Sequence, residues 1–509
     1  MWDVIVLGSG IAGLGAAAAL ARRGKRVLVV EQHSVAGGLT QTFDRQGWTF
    51  ATGVHYIGGV GPQPGPDGQF GRLLHWLSGG ALQFAECANP YDVVRLPGFE
   101  FGIEHPEAAY IAALKARFPA EHAAIDDWFA QVAQARSAAM TMMALRALPP
   151  LLAWGLRQWR GHAVDAAVHR TLAESLHGIA EPRLRAVLAA RWGDYGAPPE
   201  RAPLVEHALV MGSYNAGAYY PVGGPARFAQ ALVPVIEAAG GEVRLATSAQ
   251  RIIVVDGRVE GVELEGPAGT TLEATTQLIS AMGVANTVAC LDAAVAPAWQ
   301  DTLRALHPGV SYVSLYLGFE GDIAAAGASS ANVWIYESED VGRLWERPAD
   351  DDAPGLFVSF PSLKDPASHA KPTAEVLALC DSAAFAPWMH LPPKAPRPED
   401  YLALKAWIEE RLLAQFARHF PALAPMVRLH ELSTPVTQQH YVRSPDGAMY
   451  GIEMSAERLS TPALRVRTPV HGLLLAGQDV SSPGIQGAMM GGLMAAVAVD
   501  PGLLPRLGG

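Results

Sequence analysis

The chain has 509 residues, half of them hydrophobic and 17% charged, and carries a formal net charge of −11. A chain of this size buries large cores and divides into roughly two to four domain-sized units. Its acidic balance, with no Lys/Arg block, excludes a general nucleic-acid surface, and Cys87, Cys290 and Cys380 are too few and too far apart for a disulfide framework or a CxxC metal or redox site.

The first twenty residues are apolar, but a secretory signal places its basic residues before the apolar core. Here Asp3 is the first charge, and Arg22, Arg23, Lys25 and Arg26 come after the run. "DVIVL" is instead a β-branched run suited to a buried parallel strand. Gly8 permits the turn out of that strand, Gly10 lets backbone amides approach a pyrophosphate, and Gly13 lets the next helix pack on the sheet. The phosphates belong at the helix N-terminus, where amides are unpaired and the dipole favours anions. "LGAAAALARRG" continues the helix to a stop at Gly24, "RVLVVE" is the second strand, and Glu31 at its end is placed to accept ribose hydroxyls. This is a dinucleotide site.

Gly37 and Gly38 extend the pattern to an E-x5-GG form that resembles the FAD-binding amine oxidase and phytoene desaturase superfamily. The resemblance implies FAD. It assigns cofactor contacts to Gly8, Gly10, Ile11, Ala12, Gly13, Glu31, Gln32, Gly37, Gly38 and Leu39, although many relatives carry Arg or Cys where this chain has Leu39-Thr40.

The next segment, "ATGVHYIGG" from residue 51, lies against the flavin in such proteins, which implies Val54 as a cofactor contact and His55 and Tyr56 as catalytic candidates. A histidine there either donates a proton or orients a polar head, or else packs and bonds the backbone beside the flavin; Tyr56 has the same two readings. Glu453 is a further proton-donor candidate, with a surface salt partner as its alternative role. The turn-rich segment Gly61 to Gly71 reads as a surface loop, and residues 101 to 219 as a helical cap. Within the cap, "SAAMTMMALRALPPLLAWGLRQWRG" (137–161) is interrupted by Arg146, Pro149, Pro150 and Arg157 and so does not cross a bilayer. Its only charges are basic, which suits an anionic lipid interface; a lid on the cavity or an oligomer contact is the alternative.

"YYPVGGPARF" opens a second block: a helix, strand "EVRLA", and a hairpin turning at Asp256-Gly257. By resemblance, Ala249 offers its main chain to adenine. Residues 286–464 mix strands and helices, as a sheet-based substrate domain does. "LLLAGQDVSSPGIQGAMMGG" then supplies a last strand, a turn and a helix start, which by resemblance adds Gly477, Asp479, Gly484, Ile485 and Gln486 to the cofactor set.

The expected fold is α/β: a discontinuous Rossmann-type FAD-binding domain (1–100, 220–285 and 465–509), an inserted mixed-sheet substrate domain (286–464) and a helical cap. No nucleophile elbow, metal-ligand spacing or Walker loop is present, so the chemistry belongs to the flavin. "GVHYIGG" with the C-terminal "GQD" block resembles retinol saturases and carotenoid isomerases more than classical desaturases. That implies hydride transfer at flavin N5 with the double bonds of a carotenoid, retinoid or other unsaturated lipid, as a saturase or isomerase. A flavin amine oxidase and a non-catalytic FAD-bearing lipid escort are the competing readings. The expected location is cytoplasmic, with peripheral contact on the inner membrane face, and no second GxGxxG marks a nicotinamide donor.

Overall fold

The computed structural model describes residues 1–61, 68–148, 150–366, 368, 371–392 and 395–508. Residues 62–67 of the turn-rich segment and Pro149 of the apolar run lie outside them.

Val4–Leu7 and Val27–Val30 are buried along their whole length, as strands covered on both faces must be. They form the middle of a five-stranded sheet ordered Leu473–Leu475, Leu278–Ser280, Val4–Leu7, Val27–Val30, Glu242–Arg244. Every pairing in it is parallel. The chain's beginning, middle and end thus share one sheet. Helix Ile11–Ala21 is buried on all sides, between that sheet and the helices Arg227–Ala238 and Gly484–Val499. Its Gly/Ala composition is what permits this: a Cβ on Gly492 would come within 2.1 Å of the Ala12 carbonyl oxygen.

The hairpin Ser248–Val255 and Arg258–Gly266 turns at Asp256 and Gly257, both at positive φ (48° and 74°), the geometry of a two-residue type I′ turn. A third strand, Gly269–Ala274, extends it. Its side chains are mostly exposed, so it has no hydrophobic alternation by which to announce itself.

A seven-stranded sheet runs Val427–Ser433, Ser311–Phe319, Thr373–Cys380, Gly355–Ser359, Asn332–Tyr336, Asp92–Leu96, Phe99–Ile103. The last two strands come from the N-terminal segment. Asp92–Leu96 pairs in parallel with Asn332–Tyr336, so a boundary at residue 100 cuts through a hairpin that belongs to this second sheet.

The cap is built on Glu107–Arg117 and the helical pair His122–Ala147 and Pro150–His169. The break between the pair falls at Leu148, which is extended (ψ 150°), as the residue before a proline prefers. Among the described residues no helix is long and apolar enough to cross a membrane.

Candidate active site

A cavity of 1930 Å³ runs from the edge of the parallel sheet to the face of the seven-stranded one. A site for one small molecule occupies about 300–1,000 Å³, so there is room here for a large cofactor and a substrate together. Gly8, Gly10, Glu31, Gly38, Ala249 and Gly477 line one end, and Tyr56, Asp194, Trp334, Tyr336, Phe357 and Leu377 line the other.

The first end is mainly backbone. Gly8 turns at φ 97°, and a Cβ on Gly10 would meet no protein atom within 4 Å. The helix beginning at Ile11 has no side-chain cap, so its first amides are available to an anion. Gly13 has a different job: a Cβ there would lie 1.9 Å from the Gly8 oxygen, and the residue is absent from the wall. Glu31 is nearly buried and is aimed by three donors, Ser9 N (2.9 Å), Ser9 Oγ (2.7 Å) and His33 N (2.8 Å). Gln32 donates to the Tyr441 carbonyl at 3.0 Å. Gly37 and Gly38 both have positive φ, and Gly38 packs on Gly10. Ala249 lies on the wall, its carbonyl 3.5 Å from the Cys290 thiol that donates to it.

The C-terminal block closes the same end. Gly477 turns at φ 94°, and Asp479 accepts the Val284 amide (2.9 Å) and the Ile452 amide (3.2 Å), tying three segments together. Helix Gly484–Val499 also starts without a side-chain cap, and Gly484, Ile485 and Gln486 stand on the wall. Val54 does not. Gly53 and His55 face the cavity, and Val54 between them is buried in the core of the first sheet, so the expected cofactor contact at this side chain is corrected.

The far end is built from side chains. His55 Nδ1 lies 2.8 Å from Glu375 Oε2, a close polar contact without aligned hydrogen-bond geometry, and the fully buried Glu375 also accepts the Ala51 amide at 2.6 Å. Phe357 stands edge-on to the His55 ring, 5.1 Å between centroids. Lys364 is buried and donates to the His55 carbonyl (2.7 Å), Ser359 Oγ (2.7 Å) and Asn332 Oδ1. Burial lowers its ammonium to about 8.

Tyr56 stacks on Tyr214 (4.7 Å), which stacks on Tyr91 (5.3 Å). The Tyr56 hydroxyl is 3.2 Å from Asp92 Oδ2 and 3.2 Å from Asp194 Oδ2. Arg191 donates to Tyr91 Oη at 2.8 Å and approaches Asp92 at 3.9 Å, while the Asn332 amide donates to Asp92 at 3.3 Å. Burial raises the Asp92 carboxyl; Asp194 is raised to about 7 by burial first and the Asp92 charge second. Glu453 pairs with the exposed Arg201 at 3.2 Å, the surface role rather than the acid one.

The sequence reading passed over Asp92, Arg191, Asp194, Lys364 and Glu375. One signal was present: Asp92 in "YDVVRL" occupies an inward position of an alternating strand, where a charge demands a partner.

An anion-receptive turn on a parallel sheet opens into an aromatic chamber with a buried polar floor, the arrangement of a dinucleotide site joined to a substrate space. Residues 6–66 match the NAD(P)-binding Rossmann-like domain. Cyclohexylamine oxidase from Brevibacterium oxydans has the same fold, with a TM-score of 0.62, 19% identity and 99% of both chains covered. All-trans-retinol 13,14-reductase from Rattus norvegicus is 33% identical across 98% of this chain and 85% of its own length. The chloroplastic prolycopene isomerase of Arabidopsis thaliana is 23% identical across 99% and 84%. The chain belongs to the all-trans-retinol 13,14-reductase family.

Proposed function

We propose that this protein is an FAD-dependent oxidoreductase acting on carbon–carbon double bonds of a hydrophobic polyene, as a saturase or isomerase. The observation that carries the reading is the single cavity joining an anion-receptive dinucleotide end to a chamber walled by Trp334, Tyr336, Phe357, Leu377 and Leu379, in a chain similar along its length to retinol reductases. The resemblance to amine oxidases is one of fold.

The residues present fit FAD. Gly8, Gly10, Ile11 and Ala12 would hold the pyrophosphate, Glu31 the ribose, and Gln32, Gly37, Gly38, Leu39 and Ala249 the surrounding wall. The uncapped helix start at Gly484, Ile485 and Gln486, with Gly477 and Asp479 before it, would offer amides to the flavin's electron-rich edge. Gly13 supports this end through packing. When bound, the cofactor supplies hydride exchange with a substrate carbon. The protein's share is to exclude water, orient the polyene against His55 and the tyrosine stack, and manage protons. His55, on the cavity wall and 2.8 Å from Glu375, would orient a polar end group or donate a proton.

The same reading extends to a membrane surface. Leu151, Leu152, Trp154 and Trp159 are exposed on the second helix of the cap pair and Met140 on the first, and Met140, Met143 and Arg136 also line the cavity. An apolar substrate could therefore pass from lipid to cavity beside this pair. One element of the sequence reading is corrected: Arg146 is not a lipid-facing cation but is buried, donating to the carbonyls of Val480, Arg458 and Leu459.

The test is to extract the purified holoenzyme with organic solvent, identify co-purifying lipid, and follow its spectrum during anaerobic photoreduction. A polyene that bleaches or shifts as the flavin is reduced supports the reading. One that lengthens with oxidised flavin, or peroxide released on adding amines, overturns it.

A further inference from the structure

The Tyr56 hydroxyl has one proton and lies within hydrogen-bond distance of two carboxylates. It can donate to only one; the other contact requires a proton on the carboxyl itself. The two acids are not equivalent. Asp92 is fully buried, off the cavity, and is supported as an anion by Arg191 at 3.9 Å and the Asn332 amide at 3.3 Å. Asp194 lines the cavity, and among the described residues its hydrogen-bond partner is Tyr56. The ordering that satisfies every atom is an ionised Asp92 accepting from Tyr56, and a protonated Asp194 donating to the Tyr56 oxygen.

We propose that Asp194 is the acid that delivers a proton to the substrate carbon skeleton, with Tyr56 as its positioning partner and Asp92 as the fixed charge behind it. The proposal rests on the polyene reading above. In a saturation, the Asp194 O–H bond breaks as a C–H bond forms at one end of the double bond. The hydride needed at the other end is the reduced flavin's contribution. The electron pair of the broken bond stays on the Asp194 carboxylate, which then accepts the Tyr56 hydroxyl, and a proton taken up from bulk solvent, relayed by water at the cavity mouth, restores the acid. The residue is on a short turn, Ala190–Asp194, held against the second sheet by a hydrogen bond from Tyr336 to the Ala190 carbonyl.

The groups surrounding Asp194 suit this. Tyr56, Tyr195, Tyr214 and Tyr336 are buried and Tyr450 is partly buried, and desolvation holds each phenol above its usual range, so they stay neutral. The charges nearby are Asp92, which disfavours an Asp194 anion, and Arg191, which opposes that effect and lies on the Asp92 side. With Asp194 raised to about 7, the acid is present below that pH and lost above it.

The test uses the FAD-loaded enzyme. In polyene-free, oxidised protein, the wild-type minus Asp194→Asn difference spectrum should contain the infrared carbonyl band of a protonated carboxylic acid at pH 6, a difference that fades as pH rises through about 7 and that leaves out the other raised carboxyls, Glu206 and Asp92. During turnover, Asp194→Asn should lower kcat roughly 10²-fold with flavin content retained and KM little changed, and Asp194→Glu should recover part of the rate. Tyr56→Phe removes both the oxygen that accepts from neutral Asp194 and the hydroxyl that donates to its anion; the charge-assisted bond to the anion is the stronger, so the alkaline limb of the pH profile should move to higher pH. No protonated-acid band in that difference spectrum at pH 6, or wild-type turnover in Asp194→Asn, overturns the role while leaving the polyene reading in place. A wild type that turns over no polyene defeats both, even if the infrared band is found.

Discussion

The dinucleotide end of the cavity is made of backbone, whereas the far end is made of side chains from distant segments. At the first end, what a ligand meets are turn amides, two uncapped helix starts and one aimed carboxylate, Glu31. At the second, Tyr56, Asp92, Asp194, Arg191, Asn332 and Lys364 come from separate segments, and it is the pairing of the 92–103 hairpin with Asn332–Tyr336 that brings Asp92 beside Asn332. Backbone sites are robust to surface change and vulnerable to added volume. Side-chain clusters behave the other way round, since each member is replaceable in size but not in charge.

The largest effect expected from this contrast is at Gly13. A Gly13→Val side chain has no space beside the Gly8 oxygen, at 1.9 Å from its Cβ, so the variant should lose bound flavin and most of its soluble yield. Wild-type flavin absorbance in that variant would mean the helix does not approach the turn so closely. At the other end, Asp92→Ala leaves the buried Arg191 without its anion, and denaturant unfolding should show a loss of about 3–5 kcal/mol while any folded fraction keeps its flavin.

His55→Gln should separate the two ends by function. Flavin content should match the wild type while polyene turnover falls, on the order of 10²-fold if the imidazole transfers a proton and much less if it only orients the substrate. The smallest effect is on the cap. Leu151→Glu adds charge to a residue 78% exposed and should reduce co-sedimentation with anionic vesicles by a few fold, without changing unfolding; equal sedimentation would exclude lipid contact at this helix.

The same contrast explains what could be read from the sequence. Strand, glycine turn, helix and Glu31 are contiguous; Gly8 is required by a positive φ and Gly13 by a local clash, while Gly10 leaves open space toward the cavity, so the motif carries its own geometry. The three-part origin of the parallel sheet followed from recognisable ends. Val54 was misjudged because its neighbours on both sides face the cavity and a contiguous motif gives no direction to each side chain. Arg146 looked like a surface cation in a basic helix, whereas three carbonyls at the ends of other segments receive it. Asp194 lies in "RWGDYG", far in sequence from Tyr56 and Asp92, and no local spacing links them; only the folded sheet does.

The most direct test of the account is anaerobic incubation of the photoreduced holoenzyme with an all-trans retinoid or carotenoid, followed by mass and spectral analysis of the extracted polyene. The account predicts reoxidation of the flavin with gain of one hydride and one proton by the polyene and a shift to shorter wavelength, or a geometric isomer of unchanged mass with the flavin still reduced. A polyene recovered unchanged in mass and geometry would contradict it.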